Sequence, residues 1–169
     1  MTGREDLARS GFKEALRDAK ALAYDIQTGW PEMERRLPRE AIDGALSGLD
    51  QGASALAAET RKRGLEEVYD GFLEVMSGAF AVGYRANQAA SGVLEPEVDL
   101  TDAQRSAAIR RVVEQEFKPT VSREIEGFLV VAAVMLKEGD DMQGRQQVID
   151  IFKAGFYLGW RAYENRRDD

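Results

Sequence analysis

Residues 73–86 read L-E-V-M-S-G-A-F-A-V-G-Y-R-A, and residues 149–162 read I-D-I-F-K-A-G-F-Y-L-G-W-R-A. At one constant offset Phe80, Gly83, Arg85 and Ala86 fall on Phe156, Gly159, Arg161 and Ala162. The other pairs are mostly conservative: Glu74 with Asp150, Val75 with Ile151, Val82 with Leu158, Tyr84 with Trp160. A duplicated unit constrains architecture strongly and function hardly at all.

Both stretches read as helices. At about 100° per residue, Val68, Tyr69, Phe72, Met76, Ala79, Phe80 and Gly83 share one apolar face. Asp70, Glu74, Ser77, Ala81, Arg85 and Gln88 lie opposite. The second copy repeats this, with Val148, Ile151, Phe152, Gly155, Phe156 and Gly159 inward and Gln146, Asp150, Lys153, Tyr157, Arg161 and Glu164 outward. Ala79/Gly83 and Gly155/Gly159 are small pairs among bulky neighbours, and small residues let helices approach closely. The two helices are therefore expected to cross near Gly83 and Gly159, on a pseudo-twofold axis.

Outward from these helices, Phe12, Ala15, Leu16, Ala19, Leu22 and Ile26 step by three and four, which predicts a first helix over about residues 4–24. Thr28-Gly29-Trp30-Pro31 reads as its end, with a short charged piece before Pro38. A second helix runs from Pro38 to about residue 63 and stops at Gly64. It carries Gly44, Gly48 and Gly52, which mark either a close approach of another backbone or a locally weak helix. A third helix spans 65–90, and Ser91-Gly92 with Glu95-Pro96-Glu97 ends it. Thr101 caps a fourth to about 117, Pro119 opens a fifth to Lys137, and a sixth follows Asp140-Asp141. The apolar run 128–136 reads as buried helix rather than strand.

The repeat extends weakly beyond the third and sixth helices. With one residue less of shift, Gly52, Lys62 and Gly64 fall on Gly127, Lys137 and Gly139, and the Asp6…Arg9-Ser10 spacing returns at Asp102…Arg105-Ser106. The expected fold is one all-α domain over 1–169, about six helices in two related three-helix units, packed as a pseudo-twofold bundle. The units cover about 4–91 and 101–167, with an insertion at 25–38 in the first.

The chain has no cysteine and no histidine, which excludes disulfides, Cys/His zinc sites and thiol or Ser-His catalysis. Its net charge of -7 argues against direct nucleic-acid binding. Arg35-Arg36, Arg61-Lys62-Arg63, Arg110-Arg111 and Arg166-Arg167 read as solvated surface or helix C-terminal charge. The charged N-terminus has no apolar run behind it, and the longest apolar run is short of the roughly 18–20 residues of a membrane span. No signal peptide and no membrane association are expected, and the default location is cytoplasmic.

Three sites are candidates. Trp30, Met33, Arg35 and Arg36 are residue types enriched at interfaces, in a segment outside the repeat, and form the expected partner-binding site. The bland alternative is that Trp30 folds back over the end of the bundle. Arg85 and Arg161 are the candidate anion-binding pair related by the repeat, against ordinary surface ion pairs. Glu66-Glu67-x-x-Asp70 resembles the acidic pattern of all-helical Mg²⁺-dependent nucleotide pyrophosphohydrolases. That resemblance implies a second acidic pair on a facing helix. Glu114, Glu116, Glu124 and Glu126 lack the matching spacing, and first-turn acids also stabilise a helix. The favoured reading is a non-catalytic binding or regulatory module acting through protein–protein contacts, as a homodimer, with no catalytic residue and no cofactor. One alternative is an Mg²⁺-dependent nucleotide-binding or nucleotide-hydrolysing enzyme. Another is an acidic nucleic-acid mimic that blocks a basic partner surface.

Overall fold

The structure is a computed structural model that describes residues 11–92 and 101–167. These residues form six helices: α1 Phe12–Arg36, α2 Arg39–Arg61, α3 Leu65–Ala90, α4 Asp102–Val112, α5 Arg123–Glu138 and α6 Asp141–Arg167. A π-helical turn, Val113–Phe117, and a short turn, Lys118–Thr120, prolong α4. The expected start of the first helix near residue 4, the Asp6–Ser10 match and the Glu95-Pro96-Glu97 stop lie outside the described residues. Among the described residues there is no strand, and no helix is long and apolar enough to cross a membrane.

Local chemistry sets most boundaries. Thr101 Oγ1 accepts from Gln104 N at 3.1 Å and Thr101 N donates to Gln104 Oε1 at 2.8 Å, a complete capping box. Asp140 and Gln143 make the same reciprocal pair before α6, at 2.8 and 2.9 Å. The start of α5 is corrected from Pro119 to Arg123. Ser122 Oγ accepts from Ile125 N there, whereas Pro119 lies in the short turn that ends α4.

The predicted break at residues 28–31 is also corrected: α1 runs through Pro31 to Arg36. A proline inside a helix costs about 3 kcal/mol, partly because the Gln27 carbonyl loses its donor. Two features offset this. Gln27 and Pro31 are exposed, so water reaches the freed carbonyl. Met33 and Leu37, at 0% and 5% exposure, then enter a core cluster with Ile42, Phe156, Tyr157 and Trp160. Gly29, read as a breaker, is a packing residue, since a methyl there would overlap the Tyr157 ring.

Helices α3 and α6 pack along each other, α1 lies on α5, and α2 lies on α6. The crossing of α3 and α6 is where the repeated glycines sit. A methyl on Gly83 would strike the Phe156 carbonyl oxygen, and one on Gly159 would strike the Phe80 carbonyl oxygen. Gly155 faces the Met76 carbonyl oxygen, where a methyl would stand at 2.5 Å. Gly83 thus receives the backbone of Phe156, and Gly159 that of Phe80.

The outward faces differ from expectation. Ala81, Arg85, Tyr157 and Glu164 are buried, at 0%, 8%, 6% and 8% exposure. A one-faced wheel fails because α3 and α6 are central, and α6 is met by α1, α2, α3 and α5 on different sides. Glu164 is held by Arg36 Nη1 at 2.9 Å and Asn87 Nδ2 at 3.1 Å, and Asn87 Nδ2 also donates to the Trp160 carbonyl at 2.9 Å. No backbone approaches Gly44, Gly48 or Gly52, since a methyl on any of them would meet open space. Gly127, matched to Gly52 in sequence, instead sits on the Ala15 carbonyl of α1, where a methyl would stand at 2.8 Å.

The ends of α2 and α5 are clasped reciprocally. Arg61 donates to the Leu136 carbonyl at 2.9 Å, to the Gly139 and Asp140 carbonyls, and to Asp141 Oδ1 at 2.9 Å. Lys137 Nζ donates back to the carbonyls of Arg61 and Arg63 at 2.8 and 2.7 Å. Each helix thereby satisfies the last carbonyls of the other with a cation.

Candidate functional site

Because α1 continues through Pro31, the Trp30 segment is helical, and its side chains fan around the axis rather than sharing one surface. Trp30 is half-buried, its ring centroid 6.5 Å from that of Phe156. Met33 is fully covered, so the expectation that it contacts a partner is corrected: it is core. Arg35 is exposed. Arg36 is occupied internally, by Glu32 at 3.3 Å and Glu164 at 2.9 Å.

Trp30 forms one wall of an open cleft of about 500 Å³ between α1, α5 and α6. Ala23, Ile26, Gln27 and Pro31 continue that wall, Phe128 comes from α5, and Asp150, Lys153 and Ala154 come from α6. The walls are mainly apolar, and one acid and one base supply the charge. Sequence reasoning missed Phe128, Asp150 and Lys153. The signal was present in α1, where Ala23, Ile26, Gln27, Trp30 and Pro31 are spaced i, i+3, i+4, i+7 and i+8, one face of a single helix. Reading a break before Pro31 hid it.

Burial raises the Asp150 carboxyl above the ordinary aspartate range. The hydrogen bond from Gln146 Nε2, at 2.8 Å, and the field of Lys153 oppose this and do not cancel it. An acid whose pKa is raised on folding costs stability wherever it must ionise. The cost is absent below the unfolded pKa and develops as pH rises through that value toward the folded one. Asp150→Asn should therefore melt higher than the wild type at neutral pH, with the gap closing below about pH 3.9. Thermal melts across this range check it, and a gap independent of pH would contradict it.

The two repeated arginines occupy different environments. Arg85 is buried, whereas Arg161 is exposed beside Leu22, Asp25 and Thr28 of α1, where its field bears on the buried Tyr157 hydroxyl. They do not form a matched pair on one surface. Glu66 is half-buried, and Glu67 and Asp70 are exposed at the start of α3. Among the described residues no three acidic side chains converge in a geometry that could hold a metal ion, so the arrangement that Mg²⁺ chemistry requires is not assembled there.

In comparisons with protein-family models, with curated proteins and with solved structures, the chain matches none.

Proposed function

We propose that this chain is a non-catalytic helical binding module that acts through protein–protein contacts at the Trp30 cleft, with a second copy of itself as the partner. The observation that carries this is a half-buried tryptophan on the wall of an open, mainly apolar cleft of about 500 Å³. Large aromatics in such positions are the usual anchors of interfaces. Tyr24 supports self-association. It is 66% exposed on α1, within two turns of Trp30. In a twofold dimer about α1 each copy offers Tyr24 to the other's cleft, the self-complementary pattern of isologous interfaces.

Light scattering over a concentration series tests this. The expected result is a doubling of mass that Tyr24→Ala and Trp30→Ala each abolish, and Tyr24 is exposed enough that its removal leaves the fold intact. A strict monomer at high concentration overturns the second copy as partner. A photo-crosslinking residue at Gln27 then tests the cleft itself. An adduct there, absent from the same probe at exposed Ala58, retains a different protein as partner, and equal labelling at both positions sinks the cleft.

The reciprocal glycine contacts of α3 and α6 support the further reading of two related three-helix units. The extensive α1–α5 packing has no comparable counterpart between α4 and α2 among the described residues, so α1 and α4 have diverged most on this reading.

A further inference from the structure

The π-helical turn after α4 is not explained by the Trp30 cleft. It is closed by a bond from Lys118 N to the Val113 carbonyl, five residues back. An α-helix stacks residue i near i+4, whereas this wider turn brings i near i+5, and such turns recur at functional sites. Arg111, just before this turn, and Glu116, within it, both line one cavity of about 450 Å³. Tyr84 and Gln88 of α3 and Tyr163 and Arg166 of α6 line it as well.

The polar groups of this cavity are organised. Arg166 Nη1 donates to Tyr84 Oη at 3.1 Å and to the Glu116 carboxylate. The Tyr84 and Tyr163 rings meet edge to face, with centroids 5.2 Å apart, and fix the floor. Arg111 is exposed and makes no hydrogen bond or ion pair among the described residues. Two guanidinium groups and one carboxylate leave a single positive excess in the cavity, on a chain whose net charge is -7. A local positive site in a negative field admits a small anion and repels a polyanion. Guanidinium forks match the planar oxygens of a carboxylate or phosphate. The volume lies within the range of small-molecule sites.

We propose that this cavity binds a small organic oxyanion, held by Arg111 and by Arg166, for which Glu116 is the resident competitor. Titration calorimetry of the purified chain at fixed ionic strength with benzoate, phenyl phosphate and inorganic phosphate tests it. Binding of benzoate alone assigns a carboxylate ligand, and binding of phenyl phosphate, with or without the inorganic ion, assigns a phosphate. Arg111→Gln should weaken the bound probe by about tenfold or more. Glu116→Gln should tighten it, because the competing carboxylate is removed while Arg166 stays. Arg123→Gln, an exposed arginine on α5, should leave it unchanged. Failure of all three probes to bind at millimolar concentration overturns the proposal, and so does an equal loss in Arg111→Gln and Arg123→Gln. Arg111 is exposed and without a hydrogen bond or ion pair among the described residues, so its variant keeps the test readable.

Discussion

Gly159→Ala is expected to destabilise the protein by about 2–4 kcal/mol, and Gly83→Ala by a similar amount. Helix propensity alone predicts the opposite sign, because alanine is favoured over glycine by about 1 kcal/mol in a helix interior. The collision decides. The added methyl meets the Phe80 or Phe156 carbonyl oxygen, which is backbone and has no rotamer to escape through. Relief requires α3 and α6 to separate, which loosens the contacts of Phe72, Met76, Phe80, Ile151 and Phe156 together, all at 2% exposure or less. The double variant strains one shared crossing, so its cost will not be the sum of the two. A loss of this size is a large part of a typical stability of about 5–15 kcal/mol.

Gly48→Ala in α2 is the internal control. A methyl there meets nothing within 4 Å, so only propensity acts and a gain of about 0.5–1 kcal/mol is expected. Urea unfolding of the three variants measures both signs. Gly159→Ala matching the wild type would show that the helices are not in backbone contact.

Arg61→Ala is expected to cost about 2–3 kcal/mol. The side chain is only 25% exposed and serves the carbonyls of Leu136, Gly139 and Asp140 as well as Asp141. Most of the loss lies in the Leu136 and Gly139 carbonyls, since the Asp140 carbonyl also accepts from Gly144 N at 2.9 Å. Its salt bridge to Asp141 contributes little, since that carboxylate is fully solvated. Arg61→Lys should recover only part of the loss, because an ammonium cannot span the same acceptors as a planar fork. Lys137→Ala, which removes the return contact to α2, should cost about 1 kcal/mol. Equilibrium unfolding gives all three values, and a cost for Arg61→Ala below about 0.5 kcal/mol, the scale of an ordinary surface change, would reduce the clasp to surface decoration.

The sequence read Arg61-Lys62-Arg63 as solvated charge or as charge for a helix C-terminus. The second holds for Arg61, with one change: the end it serves belongs to α5, not to its own helix. A similar displacement affects the candidate site. Trp30 was legible as an aromatic outside the matching sequence stretches, and it does wall a cleft. Met33 and Arg36, its neighbours in sequence, were grouped with it on the assumption of a loop. In a helix they diverge, one into the core and one onto Glu164. Asp150 and Lys153 were placed on a solvent face, and only the arrival of α1 over them makes them part of a cleft.

By itself the sequence determined the helical class, the limits of α3, the cap at Thr101, and the close crossing at Gly83 and Gly159. These rest on interactions within about one turn, or on a residue size that only close contact explains. Tertiary structure alone decided that α1 survives Pro31, because burial of Met33 and Leu37 outweighs a local backbone cost. It also decided which glycines are contacts: Gly127 meets α1, whereas Gly44, Gly48 and Gly52 meet nothing. It closed both cavities from helices far apart in the chain. A helix fixes the directions of its own side chains, but which directions are covered depends on neighbours whose placement no local pattern encodes.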